Sequence, residues 1–154
     1  MRHPTLPLRR HQHGFSLLEV MISVLLLSFA FLGVAALVAF GIATDTSSMQ
    51  RSTASIDLYS IMDGLRLDST AAQNGSYNTT LTSNACPNAS SDQVSQNLHT
   101  WCEQLVQDFG ANSTTQVQIT CTTTRICTVR LVFDDSKAGN GGQTHQTYVS
   151  QAML

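Results

Sequence analysis

Hydrophobic and polar positions divide this chain near residue 44. From residue 15 to 43 almost every position is apolar, and Glu19 is the only charged side chain between Arg10 and Asp45. Residues 20–43 alone are long enough to cross a hydrocarbon core of ~30 Å as a helix. Past a Ser/Thr-rich stretch at 44–55, apolar residues return at helical spacing: Ile56, Tyr59 and Met62, and Leu58, Ile61 and Leu65. The pattern predicts one helix running on to about Asp68, half-buried against a head, with Asp63 and Arg66 paired on its exposed side. Counted from Phe15 it would be ~80 Å long at ~1.5 Å per residue. Ser and Thr, which compete for backbone hydrogen bonds, weaken it at 44–55.

Residues 69–93 are polar and turn-forming, and read as a long loop with a short strand near 77–81. A second helix follows, with Val94, Leu98, Trp101, Cys102, Leu105, Val106 and Phe109 on one face. Ser90-x-x-Gln93 fits a capping box, Asp92 suits the first turn, and Gly110 supplies the stop. Trp101 reads as core packing on that face. Strands are predicted at 115–121, 126–133 and 144–151. Val117, Ile119 and Cys121 alternate onto one face of the first, and Cys127, Val129, Leu131 and Phe133 onto one face of the second. The D-D-S-K-A-G-N-G-G stretch at 134–142 reads as a hairpin loop, with Asp134 and Asp135 in a solvated turn. The expectation is an α+β chain: a long N-terminal helix on a three-stranded antiparallel meander, with a fourth strand available from the polar loop.

Charge sharpens the division. Arg2, Arg9 and Arg10 lie in the first 14 residues, which hold no acid; beyond them five basic side chains face ten acidic ones. An acidic body argues against a general nucleic-acid binder, whose affinity rests on neutralising phosphates. The basic N-terminus ahead of an apolar span holds that end in the cytoplasm and sends the body outward. Cys86, Cys102, Cys121 and Cys127 all lie in this outward part. An even count in an oxidising compartment favours disulfides, whereas spacings of 16, 19 and 6 lack the tight pairs of a zinc site. Three connectivities are open. Cys121 and Cys127 flank a short connection and can face each other across a hairpin, which leaves Cys86 with Cys102.

An ordinary secretory signal does not account for this N-terminus, because the apolar run is about twice the usual 7–15 residues and Glu19 interrupts its start. A carboxylate near the centre of a lipid-embedded helix costs roughly 2.5–3.5 kcal/mol, so Glu19 needs a partner. The string Gly14-Phe15-Ser16-Leu17-Leu18-Glu19-Val20-Met21-Ile22, behind a short basic leader, resembles the class III signal of type IV pilins and pseudopilins. The resemblance implies cleavage by prepilin peptidase between Gly14 and Phe15, N-methylation of Phe15, and an assembly role for Glu19. The amine freed at Phe15 is largely protonated at neutral pH. In that family the glutamate pairs with the terminal amine of a neighbouring subunit, which sets geometry more than it adds stability. The family's fold is a long N-terminal helix on a small antiparallel sheet. The implied boundaries are a cleaved leader at 1–14, a transmembrane and filament-core helix at 15–43, its amphipathic half at 44–68, and a periplasmic or extracellular head at 69–154. Unlike many major pilins, this chain has no proline within the apolar stretch; Gly33 and Gly41 are its only weak points.

Four further segments are similar to PilV-type minor pilins: L-L-L-S-F-A-F-L-G-V-A-A-L, the M-D-G-L-R end of the long helix, W-C-E-Q-L-V and C-T-V-R-L-V-F. That similarity implies a low-abundance subunit that primes or caps a type IV pilus. Its expected partners are other minor pilins, the major pilin, the inner-membrane assembly platform and a tip adhesin. A minor pseudopilin of a type II secretion system shares the signal, and a membrane-anchored periplasmic binding module is the reading from a different class. No cofactor, metal site or nucleic-acid partner is expected. His3, His11 and His13 fall in the leader, and His99 and His145 have no nucleophile to serve, so an enzyme has no positive support. The Gly-rich loop lacks the Lys-Ser/Thr of a phosphate cradle. The sequons at Asn78, Asn88 and Asn112 read as coincidences of composition.

Overall fold

The computed structural model describes residues 14, 16–136 and 142–154, in two compact units that meet between Ala39 and Phe40. The leader, Phe15 and the middle of the 134–142 loop lie outside the described residues. Helix α1 runs Leu17–Leu67. The Ser16 carbonyl opens the helix by accepting Glu19 N–H at 2.9 Å and Val20 N–H at 3.3 Å. The Ser/Thr-rich stretch stays helical because its hydroxyls turn back onto the helix. Thr44, Thr46, Ser48, Ser52 and Ser55 each donate to the carbonyl four residues earlier, which occupies the groups that would otherwise compete with the ladder.

Within the second unit, α1 buries Ala54, Asp57, Leu58, Ile61, Met62 and Leu65. Ile56 and Tyr59, expected on the buried side, are 63% and 67% exposed. They belong to the opposite face, and Asp57 takes a position beneath the head that an apolar residue would be expected to hold. Asp63 and Arg66 do pair, Nη1 to Oδ1 at 2.8 Å, on the exposed surface.

The polar stretch after α1 is more ordered than a loop. A short helix α2, Ser69–Gln73, follows directly, and Gly75 at φ +78° turns the chain toward strand β1, Thr79–Thr82. That left-handed backbone is one glycine adopts at little cost. Helix α3 spans Gln93–Phe109. Its N-cap is Asp92, which accepts Ser95 N–H at 2.8 Å, so the expected capping box at Ser90 is displaced by two residues. Gly110, at φ +81°, closes α3 with its N–H on the Val106 carbonyl at 2.9 Å.

Strands β2 (Gln116–Cys121), β3 (Ile126–Phe133) and β4 (Gln146–Met153) complete a four-stranded antiparallel sheet in the order β1-β2-β3-β4. β4 begins two residues later than expected, and β1 pairs Leu81 with Val117 at the sheet edge. Val117, Ile119 and Cys121 face the same core as Cys127, Val129, Leu131 and Phe133. Trp101, Cys102 and Leu105 of α3 close that core with the buried face of α1. The architecture is the pilin-like α+β arrangement, a long N-terminal apolar helix with a small antiparallel sheet.

Candidate assembly motif and head cross-links

The first turn of α1 carries the residues with the sharpest chemical reading. Glu19 stands in that turn, where the unpaired amides of a helix N-terminus favour negative charge. It is exposed and makes no side-chain hydrogen bond or ion pair among the described residues. Gly14 is exposed too, while Phe15 lies outside the described residues. From Leu17 onward the apolar side chains point outward, most of them more than half exposed. One 18-residue window of α1 reaches a mean hydropathy of 2.6 with none of it buried. Among the described residues α1 is the one helix long and apolar enough to cross a membrane. Such a surface is unfavourable in water and favourable in lipid or against other apolar helices.

The head is fastened by two disulfides. Cys86 joins Cys102 with Cα atoms 5.5 Å apart, fixing the segment after β1 onto α3. Cys121 joins Cys127, directly opposite it in the β2–β3 register, with Cα atoms 4.0 Å apart. Polar side chains do similar work. Asn78 brackets the end of β2, donating to the Cys121 carbonyl at 3.0 Å and accepting Cys121 N–H at 2.6 Å. Buried Tyr77 donates to Asp68 at 3.0 Å and accepts from Asn97 at 2.8 Å, linking the end of α1 to α3. Asn112 accepts Thr115 N–H at 2.7 Å in the turn into β2. The sequon asparagines Asn78 and Asn112 are thus structural.

Asp135 departs most from expectation. It is not in a solvated turn but 2% exposed, and its Oδ2 accepts from Ser47 Oγ at 2.9 Å and Arg51 Nε at 2.8 Å. The end of β3 is thereby tied to α1. Sequence periodicity gave no sign of this, since Arg51 and Asp135 are 84 positions apart. Asp57 was equally hidden. Its Oδ1 accepts Gln104 Nε2 at 2.8 Å, while its Oδ2 is buried without a partner. Burial first, and then the charge of Asp108, push its carboxyl up to about 6 against the opposing bond from Gln104.

Long apolar helix, small antiparallel sheet and an acid in the first helical turn together make a pilin-like arrangement. Residues 9–35 match the prokaryotic N-terminal methylation motif, which indicates a type IV pilin-like, prepilin-type protein. No match was found among curated proteins or solved structures.

Proposed function

We propose that this chain is a minor pilin, a low-abundance subunit that primes or caps a type IV pilus. The observation that carries the reading is the methylation-motif match over 9–35 on a helix that leaves its apolar side chains uncovered. In this account prepilin peptidase cuts between Gly14 and Phe15 on the cytoplasmic side, and Phe15 is N-methylated. Residues 15–43 then wait in the inner membrane with the head in the periplasm. The assembly platform moves the helix from lipid into a bundle of like helices, where one apolar environment replaces another. Within that bundle the Glu19 carboxylate pairs with the terminal amine of a neighbouring subunit. Because an unpaired charge there is costly, the pair selects axial register. The PilV-like segments support the minor-pilin type, and other minor pilins, the major pilin and a tip adhesin are its proposed neighbours.

Glu19→Val tests the reading in a strain that makes pili. The variant should be processed and remain in the membrane, yet fail to support pilus assembly and twitching. Unchanged piliation and motility would leave a membrane-anchored binding module as the better account. Loss of protein secretion with piliation intact would favour the type II pseudopilin.

A further inference from the structure

The face of the sheet turned away from the core carries a concavity separate from the N-terminal motif. Thr80, Gln116, Gln118, Arg130, Val132, His145 and Thr147 line a concavity of about 340 Å³ there, drawing on all four strands. The register makes it one continuous patch: Thr80 is opposite Gln118, Gln118 opposite Arg130, Gln116 opposite Val132, and Val132 opposite Thr147. Its volume is at the lower end of the ~300–1,000 Å³ of small-molecule sites.

Arg130 is the one permanently charged side chain among the described lining residues. Arg51 is committed to Asp135 and Arg66 to Asp63, but Arg130 has no hydrogen-bond or ion-pair partner among the described residues. Its nearest neighbours on the face, Gln118 and Val149 across the strands and Thr128 and Val132 along its own, are neutral. No carboxylate lines the concavity. A guanidinium presents a planar fork of donors that fits a carboxylate. Around it, glutamine amides and threonine hydroxyls offer both donors and acceptors. Gln116 has its Nε2 on the Ser113 carbonyl at 3.1 Å, which leaves its amide oxygen as an acceptor.

The lining also weighs against other ligands. Among the described residues it contains no Phe, Tyr or Trp, so His145 is its one aromatic ring, and Val132 is its one aliphatic side chain. One arginine is too few to follow a phosphate backbone. We propose that this concavity binds a polyhydroxylated carboxylate, a single sugar-acid ring, with Arg130 on the carboxylate and Gln116, Gln118, Thr80 and Thr147 on the hydroxyls. An exposed charge pair contributes little, so the affinity lies in the millimolar range and selectivity comes from the ring of neutral groups.

Saturation-transfer NMR on the full chain in detergent micelles tests this with sodium glucuronate, glucose and sodium acetate as probes. Glucuronate should give a saturable signal at millimolar concentration, at least about fivefold stronger than glucose, consistent with about 1 kcal/mol for the charge. Arg130→Gln should reduce that signal by a similar factor. Arg125→Gln, in the exposed turn between β2 and β3, should leave it unchanged. The proposal is overturned by no saturable glucuronate signal, by equal signals for glucose, or by retention in Arg130→Gln with its thermal unfolding unaltered. Displacement of glucuronate by equimolar acetate also overturns it, because the groove would then read charge alone.

Discussion

Arg51 Nη2 lies 2.7 Å from Asp135 Oδ2, with the arginine side chain 38% exposed and the aspartate 1%. The pair is therefore asymmetric: water can solvate one member and not the other. Ser47 supplies a third contact to the same oxygen. Asp135, two residues past the end of β3, is tied to α1 through these contacts.

Removing the two members should have unequal effects. Arg51→Ala leaves a buried carboxylate with Ser47 alone and should destabilise the head by about 2 kcal/mol, below the 3–5 kcal/mol of a fully buried pair because the arginine is partly solvated. The double variant Arg51→Ala, Asp135→Ala should recover part of that loss. Thermal unfolding of the four chains of the double-mutant cycle measures it. Equal destabilisation by single and double variants would show that burial of the charge is not what matters.

Gly64 is the position on α1 where Trp101 makes its close approach. A Cβ built there would sit 2.5 Å from Trp101 Cζ2, and the indole is 8% exposed. Alanine is better than glycine in a helix by about 1 kcal/mol, but forcing a buried indole aside costs about 1–3 kcal/mol. Gly64→Ala should therefore lower the melting temperature and alter tryptophan fluorescence. A higher melting temperature would mean the indole gives way freely.

Asp57 gives the head a pH dependence of definite sign. Its carboxyl is pushed up to about 6, mainly by burial and then by Asp108, against about 4 in an unfolded chain. Between those values the folded state holds the extra proton, so this group's contribution to stability falls as pH rises from about 4 to about 6 and is constant above. Asp57→Asn, which can still accept from Gln104, should abolish that fall and raise stability at pH 7. Melting curves from pH 4 to 8 on both chains check it; parallel profiles would remove Asp57 as the source.

The two disulfides close loops of different length, with sequence separations of 16 and 6. Loop-closure entropy assigns them about 3 and about 2 kcal/mol respectively. Alkylation of the unfolded, unreduced chain should label no cysteine. Replacing Cys86 and Cys102 with serine should destabilise the head more than replacing Cys121 and Cys127. Any labelling before reduction, or the opposite ranking, would contradict the assignment.

Periodic elements were legible in the sequence because burial repeats along them. Val94 to Phe109 gave α3 its face, and the alternations about Ile119 and Val129 gave β2 and β3 theirs. Helix α2 was not legible because five residues carry no measurable period, and the strand expected near 77–81 was shifted to Thr79–Thr82 because only Leu81 of its four residues is buried. Ile56 and Tyr59 were misplaced because apolarity says what prefers burial, not which face the head covers. Asp57 and Asp135 were hidden for a related reason. A charged residue reads as exposed until tertiary contact supplies Gln104 for one and Arg51 for the other. At the N-terminus the methylation motif over 9–35 was readable because it is a contiguous local pattern that needs no tertiary contact.

The measurement that bears most directly on the proposed function is the N-terminus of the mature chain. Expressed with prepilin peptidase and isolated from membranes, the protein should begin at N-methylated Phe15 and retain α1 whole. A start near Asp45, or an intact Met1 with active peptidase present, would contradict the account.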